Sequence, residues 1–571
     1  MFYVPLLKYY DISLSIKFIN KEKESFQLTR AVLVAALIST AIYLVHTAFL
    51  GSWIVDDAGI SFAYARNLAE GHGLVAQPGA VPVEGFTNLL WVLLLSIPMK
   101  LHAFDPVLTP KIISAFCVAL SFILIGYLLY ASGSRPAWLA ACSLSISAGF
   151  TGFAVWGASG LENALYALVV SMLAFVSSIQ TNSERIRMLR SVAAGIVLFL
   201  VFCTRPDGAL YFWILPFLMG TEDNLKRGHR PLVAYTLAFV VPWLLLTLFR
   251  ILYFHDIFPN TFYAKRGEGS KFVAWLLSHL PLYPAGIIIM IAGVLVIAAI
   301  AFGVYSLGRK MHRWAFAVHL NRYALGLFFV TSILVYDALR GDWMPDFRYA
   351  TPAFLFGPAI FLAILWDISY RVRLKRVLAA ALTVALVAAV GTYSFRQTSR
   401  FVKSPAISFA SVREMTLRIA QTIEPLGSDV AVLTPDIGGA LWENRYRVVD
   451  LAGLVDRAIG RTIGRDRQRI RDHLLKERKP EGVWLHSFWM RRTGFNVDPA
   501  FAEMYAPVWE ERSSPESPPT AGFYLRRDLV IIGPDGRARP SPSFKKSPLS
   551  LSELPKWRWS QEGNSLPGGR E

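Results

Sequence analysis

The apolar run AVLVAALISTAIYLVHTAFLGSW (31–53), followed at once by IVDDAGISFAYARNLAEGHGL (54–74), decides the fold class of this 571-residue chain. As a helix that rises about 1.5 Å per residue, the first run would extend over about 35 Å, which is enough to cross a bilayer core. It is too long for the apolar part of a signal peptide and has no cleavage motif, so it predicts a retained membrane anchor. Two adjacent carboxylates, Asp56 and Asp57, stand directly after it.

Apolar runs of this kind recur along the first two thirds of the chain. Over the whole sequence, hydrophobic residues make up 54% and charged residues only 17%. These runs predict a polytopic α-helical membrane protein with about 11 transmembrane helices. The predicted spans are 31–53, 108–131, 137–157, 161–179, 191–204, 209–220, 232–254, 281–306, 323–338, 351–370 and 377–395. The formal net charge of +18 lies largely in short loops between them and marks the cytoplasmic side, so no nucleic-acid partner is predicted.

Four regions follow from this pattern. Residues 1–30 are predicted to be a cytoplasmic N-terminus, and 31–395 a transmembrane domain in which the piece 86–101 enters the bilayer without crossing it. Residues 396–533 predict a small extracytoplasmic α/β domain, since 430–433 and 447–449 have the composition of short strands beside glycine-rich turns. Residues 534–571, rich in Pro, Ser and charge, are predicted to be disordered.

Six compact polar segments are predicted to face the outer side of the membrane and to line a cavity there. Ionisable groups at a membrane boundary are usually functional or paired. Arg205 and Asp207 interrupt the apolar stretch 191–220, which predicts two half-length helices that meet at a polar turn. The segments are VDDAGISFAYARNLAEGHG (55–73), VEGFTNLLW (83–91), ASGLENAL (158–165), TRPDGAL (204–210), HDIFPNTFYAK (255–265) and RGDWMPDFRYATP (340–352).

The aspartate pair allows two interpretations. Asp56 can cap a helix whose apolar residues Ile60, Tyr64 and Leu68 recur every four positions and would lie along the membrane surface. Capping explains one carboxylate but not the second. Two neighbouring carboxylates suit a general base whose pKa is raised by its neighbour, or a divalent-cation site for Mg²⁺, Mn²⁺ or Ca²⁺.

The other polar residues also keep a structural alternative. Glu84 and Asn88 are spaced for one helix face, and Glu162 follows Ser159 at the spacing of a capping box. Lys265 lies on an outer loop, where a phosphate ligand or lipid headgroups would justify its charge. Arg348 is a second candidate anion clamp, or the ion-pair partner of a nearby aspartate. His72 and His255 lack a second His or Cys at zinc spacing.

Taken in order, these segments and DIGGALWENRYRVVDLAGLVD (436–456) resemble bacterial GT-C-fold membrane glycosyltransferases, and among them the terminal arabinofuranosyltransferases of mycobacteria. The resemblance covers roughly residues 50 to 460. It implies sugar transfer from a polyprenyl-phosphate donor to a cell-envelope glycan or glycolipid on the periplasmic side of a bacterial cytoplasmic membrane. This chain departs from the family pattern at Ala63 and in QPGAVPVEG (77–85), which leaves the sugar open.

Carried over residue by residue, the resemblance implies that Asp56 and Asp57 are catalytic and could hold a cation. Lys265, Arg205 and Arg348 would bind the donor phosphate, because a phosphate leaving group needs cationic stabilisation. Asp436, Trp442 and Asp450 would help to bind the acceptor. The expected substrate-binding residues are Glu84, Asn88, Glu162, Asp207, Asn260, Tyr263, Asp342 and Trp343.

Two other classes of function remain open at this point. A transporter or flippase of a lipid-linked glycan would place ionisable groups near the bilayer midplane and show inverted repeats. A non-catalytic envelope scaffold would use the paired aspartates only as helix caps.

Overall fold

A computed structural model describes residues 29–131, 137–221, 229–266, 282–312, 320–338, 344, 347–370, 373–427, 429–462 and 467–541. The chain divides into two compact units. The first contains Met1–Ser52, Val107–Pro242 and Leu295–Ala406, and the second contains Trp53–Pro106, Trp243–Val294 and Ile407–Glu571.

Helices dominate the described residues. They are α1 (Thr29–Ala48), α2 (Asp56–Ala69), α3 (Leu89–Lys100), α4 (Leu108–Ala131), α5 (Ala137–Gly149), α6 (Thr151–Gly157), α7 (Asn163–Ser177), α8 (Glu184–Thr204), α9 (Ile214–Thr221), α10 (Arg230–Phe249), α11 (Asn260–Arg266), α12 (Leu282–His312), α13 (Leu320–Ala338), α14 (Thr351–Tyr370), α15 (Arg373–Lys403), α16 (Phe409–Ile423), α17 (Gly438–Glu443), α18 (Arg457–Thr462), α19 (Arg467–Asp472), α20 (Ser487–Thr493) and α21 (Pro499–Met504).

The chain is a multi-pass membrane protein. Among the described residues, 7 helices are long and apolar enough to cross a bilayer, or 8 if the bent pair α5 and α6, which meet at 67°, counts as one span. α3, α7 and the apolar part of α13 are shorter. Large apolar side chains such as Leu37 (71% exposed) and Val384 (68%) lie on helix surfaces, as expected where lipid replaces water.

The polar turn at Arg205 differs from the prediction of two half-length helices. α8 is itself long enough to span the membrane, and Arg205 follows it in an extended conformation with φ −154°. A 3₁₀ helix, Pro206–Trp213, then leads into the short α9. Pro206 begins that 3₁₀ helix because proline fixes φ and lacks the N–H that a continuing α8 would need.

Seven strands lie in the second unit: β1 (Ala431–Thr434), β2 (Arg447–Asp450), β3 (Gly482–His486), β4 (Tyr505–Arg512), β5 (Pro519–Arg526), β6 (Val530–Ile532) and β7 (Ala538–Pro540). The first five form one sheet in the order β2-β1-β3-β5-β4, in which β1 is parallel to β2 and β3 while β5 is antiparallel to β3 and β4. The two strands expected from the sequence are β1 and β2. β6 pairs with β7, so order continues beyond the predicted domain end at 533, whereas 542–571 lie outside the described residues.

Each face of the five-stranded sheet carries its own apolar core. Leu433, Val483 and Leu485 point to one face and pack with residues of α18 to α21. Val432, Phe523 and Leu525 point to the other and pack with residues of α16 and α17. Successive side chains of a strand point to opposite faces of the sheet, and both faces are covered, so each face has its own core.

α2 is not the surface helix that its spacing predicted. Ile60 is 5% exposed and Tyr64 is fully buried, and the intervening residues Ser61, Phe62 and Ala63 are buried as well. A helix that is buried on nearly every side positions its polar residues inside the unit instead of at a lipid surface.

Candidate functional site

Asp56 lies at the start of α2 but does not cap it. The helix has no side-chain cap, and Val55 occupies the N-cap position. The Asp56 carboxylate instead accepts hydrogen bonds from two backbone N–H groups, with Oδ2 2.9 Å from Gly438 N and Oδ1 2.8 Å from Gly439 N. The capping interpretation is therefore wrong, because backbone donors far away in the sequence bind both oxygens.

Two glycines allow the backbone of α2 to come this close to the turn after β1. A Cβ at Gly438 would lie 1.8 Å from the Asp56 carbonyl oxygen, and a Cβ at Gly59 would lie 2.5 Å from the Gly438 carbonyl carbon. No side chain fits at such distances. The GG pair of DIGG and the glycine of DDAG thus form a cradle for the Asp56 carboxylate.

The surroundings of Asp56 disfavour its charged form. Burial, followed by the negative charge of Asp436, raises the pKa of Asp56 well above its usual range, and Asp57 adds to this effect. The two backbone N–H groups act in the opposite direction without cancelling it. A carboxylate with a raised pKa is better matched to accepting a proton near neutral pH.

Asp436 and His486 meet at the carboxyl ends of neighbouring parallel strands, where side chains from different strands converge. His486 Nε2 lies 2.8 Å from Asp436 Oδ2, and the side chains are 24% and 19% exposed. We call Asp56, Asp57, Asp436 and His486 the carboxylate centre. Asp57 is half-buried and follows Asp56 on α2.

The aspartate pair is the cation site that the sequence suggested. Among the described residues, no three His, Cys, Asp or Glu side chains lie together as a metal-ligand set, whereas Mg²⁺ and Ca²⁺ take six or more oxygen ligands, which backbone carbonyls and water can also supply. Asp56 also already binds two backbone N–H groups. Each Asp56 oxygen keeps a lone pair beyond its backbone bond, so a divalent cation at Asp56 and Asp57 stays a prediction.

Glu84 and Asn88 do not share a helix face, because α3 begins only at Leu89. The Tyr64 hydroxyl donates to Val83 O and accepts from Gly85 N, and Gly85 N also donates to Val83 O at 2.9 Å, so Glu84 lies in a tight turn that is bound to α2. Both residues are buried in the second unit and bound by protein groups.

Glu84 forms a two-pronged ion pair with Arg250, with Nε to Oε2 at 2.8 Å and Nη2 to Oε1 at 2.9 Å. The Asn88 amide donates to Ser61 Oγ at 3.0 Å. These contacts anchor the segment before α3, so Glu84 and Asn88 position backbone in this structure.

Asn260 and Tyr263, expected to bind substrate, also contact protein groups. The Asn260 amide donates to the carbonyls of Gly453 and Leu454 at 2.8 and 3.0 Å and so ties α11 to the turn after β2. The Tyr263 hydroxyl donates to Asp256 at 3.0 Å. The lysine of the same segment, Lys265, has a side chain outside the described residues, as do Asp342 and Trp343.

A second polar cluster, the arginine centre, lies in the first unit and consists of Arg205, Glu162, Asp207, Arg348 and Tyr349. Arg205 Nη1 donates to Glu162 Oε1 at 3.0 Å, and Nη2 lies 3.1 Å from Asp207 Oδ1. The Arg205 guanidinium stands 4.3 Å from the centre of the Tyr349 ring. Glu162 therefore binds Arg205 and does not form the predicted capping box.

Arg348 contacts the other side of this cluster. Its guanidinium lies 5.4 Å from the Tyr349 ring and 5.8 Å from the Trp156 ring, and Nη1 lies 2.9 Å from Met344 Sδ. Two of the three predicted phosphate-binding residues, Arg205 and Arg348, are thus brought to one aromatic ring.

Of the three expected acceptor contacts, Asp436 lines a cavity. Trp442 packs edge-on against Phe62 at 6.2 Å and lies under the Arg66 guanidinium at 5.1 Å. Asp450 is fully buried and accepts from backbone N–H groups of its own turn. Trp442 and Asp450 are therefore packing and turn residues in this structure.

His486 and the glycine cradle are the features that sequence reasoning missed. A short apolar strand followed by DIGG was visible, and two small residues after a strand mark a close backbone approach. His486 is the last residue of β3, GVWLH (482–486), and Asp436 lies two residues after the end of β1. Placing both at one sheet edge required the parallel pairing of β1 with β3.

No family model and no curated protein matches the sequence. Solved structures do match. The archaeal oligosaccharyltransferase AglB from Archaeoglobus fulgidus, in complex with an inhibitory peptide and a dolichol-phosphate, superposes with a TM-score of 0.51 at 12% identity, over 89% of this chain and 75% of that one. ArnT from Cupriavidus metallidurans bound to undecaprenyl phosphate matches with a TM-score of 0.41 at 15% identity, over 86% and 97%. The similarity to AglB shows that the chain has a GT-C fold, with a small C-terminal sheet region as expected.

Proposed function

We propose that this protein is a GT-C glycosyltransferase that moves a sugar from a polyprenyl-phosphate donor to a cell-envelope polysaccharide or glycolipid. The reaction takes place on the periplasmic side of a bacterial cytoplasmic membrane, where the positive-inside rule puts the polar segments. One observation carries the proposal: in a chain with this fold, the buried carboxylate of Asp56 is held by two backbone N–H groups beside two further carboxylates.

Asp56 acts as the general base. The acceptor hydroxyl oxygen attacks the anomeric carbon, the bond from that carbon to the phosphate oxygen breaks, and its electron pair leaves with the polyprenyl phosphate. The hydroxyl proton passes to Asp56, where each oxygen still has a lone pair beyond its one backbone bond. Burial, then Asp436 and Asp57, raise the pKa of Asp56, so that the carboxylate is a stronger base than an exposed aspartate.

The departing phosphate needs positive charge around it. Arg348 and Lys265 supply it in this proposal, and Arg348 lies among ring faces and a thioether that keep water away. Arg205 already binds Glu162 and Asp207. It therefore holds those two carboxylates in place. The Arg205 and Arg348 guanidinium groups both contact the Tyr349 ring, and this ring links Arg205 to the proposed phosphate site.

The sugar is proposed to be arabinofuranose. The support is the resemblance of the ordered polar segments to mycobacterial terminal arabinofuranosyltransferases. The donor class is further supported by AglB, which was solved with a dolichol-phosphate, a lipid of the polyprenyl-phosphate kind. The departures at Ala63 and in 77–85 make other furanose or pyranose donors the necessary comparison.

The test is transfer of radiolabelled sugar by the full chain in a lipid nanodisc, from a panel of polyprenyl-phosphate pentoses and hexoses to envelope glycans. Asp56→Asn and Asp57→Asn are compared with Asp535→Asn, which removes a carboxylate from an exposed turn. Transfer by the wild type and by Asp535→Asn, with a loss of about 100-fold or more in Asp56→Asn, supports the proposal.

The rival functions give other results. A folded wild type that binds a labelled lipid-linked glycan and moves it across a vesicle membrane without transferring sugar would indicate a flippase. Binding with neither transfer nor movement would indicate a scaffold. Equal activity in wild type and Asp56→Asn would exclude Asp56 as the base.

A further inference from the structure

A crevice opens in the second unit where two parallel strands end. The loop after β1 continues into α17, whose Ala440 packs on the sheet face covered by α16. The chain after β3 continues into α20, whose Met490 packs on the opposite face. Neighbouring strands whose following helices lie on opposite faces leave a crevice at their carboxyl ends, which is where ligands bind in open α/β sheets.

This crevice is a real cavity of about 220 Å³. One wall is α16, with Met415 and Thr416, and the other is formed by the ends of β1 and β3 with Tyr446 and Trp484. The paired side chains of Asp436 and His486 stand at its polar end. Pockets for drug-sized ligands measure roughly 300–1,000 Å³, so this one suits a single ring.

The lining is mostly apolar with polar groups at one end, and this combination suits a neutral ring that has an apolar face and hydroxyl groups. Trp484 and Tyr446 provide aromatic surface, and Trp484 is held against Trp509 with ring centres 4.8 Å apart. Asp436 and Thr416 can accept hydrogen bonds from hydroxyl groups. A sugar ring has both features, because its C–H groups form an apolar face and its hydroxyls point outward from the edge. Among the described lining residues there is no Lys or Arg, so the Asp436 carboxylate would repel a phosphate.

The crevice is connected to the proposed general base by one short turn. Asp436 lies two residues before Gly438, whose N–H donates to the Asp56 carboxylate at 2.9 Å. The charge of Asp436 acts directly on Asp56. Asp56 is not itself a lining residue of the crevice, so a ring bound at Asp436 would be one turn of chain away from the carboxylate that accepts the hydroxyl proton.

We propose that the crevice formed by Asp436, His486, Trp484 and Tyr446 binds one neutral sugar ring of the acceptor glycan and holds it near Asp56. This inference rests on the proposed glycosyltransferase function. His486 acts as a positioning residue, since its ring nitrogen orients the Asp436 carboxylate toward the acceptor hydroxyls.

The test measures binding without catalysis. Saturation-transfer NMR follows methyl arabinofuranoside, methyl mannoside and the anionic methyl glucuronide with the full chain in phosphatidylcholine nanodiscs, where no donor and no glycosidic detergent is present. Met415→Trp fills the crevice from α16, and His486→Gln removes the partner of Asp436. His473→Gln is the matched control, because His473 pairs with Glu477 at 2.7 Å in the same unit but outside the crevice.

We expect the neutral glycosides to be saturated in wild type and His473→Gln, and the signal to fall at least about fivefold in Met415→Trp and His486→Gln. Melting curves of each variant show whether it is folded. Unchanged signal in a folded Met415→Trp, absence of signal in the wild type, or stronger saturation of the glucuronide would each overturn the inference.

Transfer assays separate this inference from the proposed function. If the wild type transfers sugar, His486→Gln should raise the acceptor KM about tenfold and leave the donor KM unchanged. Equal acceptor KM values in His486→Gln and wild type would overturn the crevice assignment while leaving the glycosyltransferase intact. Neutral-glycoside binding in a wild type that transfers nothing would instead count against the enzymatic function.

Discussion

Asp56 and Asp450 can be compared directly, because both are buried aspartates of the second unit. In both residues, each carboxylate oxygen accepts a hydrogen bond from a different backbone N–H group. Asp450 Oδ1 lies 2.9 Å from Ala452 N and Oδ2 lies 2.8 Å from Val455 N. Burial raises the pKa of both, to about 7 for Asp450. Burial and a raised pKa alone therefore do not distinguish a catalytic group from a structural one.

The origin of the donors distinguishes them. The donors to Asp450 come from two and five residues later in the chain, so that carboxylate closes its own turn. The donors to Asp56 come from 382 and 383 residues away, in a cradle that only glycine permits. The charge of Asp436, a lining residue of the crevice, also acts on Asp56. A long-range cradle that one turn connects to the crevice is what makes Asp56 the candidate base.

The largest expected effect comes from matched Asp→Asn changes at these two positions. Each replaces one accepting oxygen by an amide NH₂ that cannot accept a backbone N–H, so each should destabilise the fold by about 1–3 kcal/mol. Asp56→Asn should also lower kcat by about 100-fold or more, because the base is lost. Asp450→Asn should retain at least roughly half of wild-type kcat. Thermal unfolding and transfer assays on both variants measure these effects.

Equal activity losses in the two variants, with equal loss of stability, would reduce Asp56 to a structural residue like Asp450. An Asp450→Asn variant that is more impaired in kcat than Asp56→Asn would reverse the assignment.

Alanine substitutions at Gly438 and Gly453 allow a second comparison, with smaller expected effects on kcat. Gly438→Ala places a Cβ 1.8 Å from the Asp56 carbonyl oxygen, so the turn must move and separate the carboxylate from its donors. We expect kcat to fall about tenfold or more and stability to fall by about 1–3 kcal/mol. Gly453→Ala, with φ +73° and a Cβ 2.4 Å from Gly460 N, strains the turn of Asp450. It should lose similar stability at nearly unchanged kcat.

Gly391→Ala serves as the neutral control, because a Cβ there meets no atom within 4 Å. If Gly438→Ala keeps wild-type kcat while Gly453→Ala loses it, the cradle has no catalytic importance.

Helices and strands that depend on the local pattern of apolar residues were predicted correctly from the sequence. Apolar runs of membrane length became helices such as α4 and α12, and the two expected strands are β1 and β2, within one residue at each end. The short piece before Leu101 is α3, which at about 18 Å is too short to cross a bilayer. These features are predictable because hydrophobic period and length are determined within a few turns of chain.

Partners of the polar residues could not be predicted. Glu84 and Arg250 are 166 residues apart, and Glu162 and Arg205 are 43 apart, yet each pair is buried and charge-matched. Local spacing suggested helix faces and caps for Glu84, Glu162 and Asp56. Tertiary hydrogen bonds prevailed because a buried charge needs a partner more strongly than a helix end needs a cap.

The raised pKa of Asp450 should make the stability of the fold depend on pH. Its folded-state pKa is about 7, above that of an unfolded aspartate, so the folded protein binds more protons between these two values. The free energy of unfolding should therefore decrease as pH rises from about 4 to 7, by up to about 1.4 kcal/mol per pH unit from this group. Asp450→Asn should flatten the slope, and Asp535→Asn should not. Urea unfolding followed by tryptophan fluorescence at several pH values measures it.

The slope should fall in Asp450→Asn without vanishing, because the raised pKa of Asp56 contributes in the same direction. An unchanged slope would mean that Asp450 remains charged in the folded protein and that its backbone donors outweigh the effect of burial.

The smallest expected effect is a change in the pH dependence of kcat, which reports on the pKa of Asp56. Asp436→Asn removes the negative charge that, after burial, contributes most to raising the pKa of Asp56. A general base must be deprotonated, so the activity of wild type falls as pH decreases through the raised pKa of Asp56. Asp436→Asn should move this acid limb of kcat, measured at saturating acceptor, to lower pH. Glu477→Gln removes an exposed carboxylate of the same unit and should leave the limb in place. An acid limb that stays fixed in Asp436→Asn would mean that a group other than Asp56 controls the pH dependence.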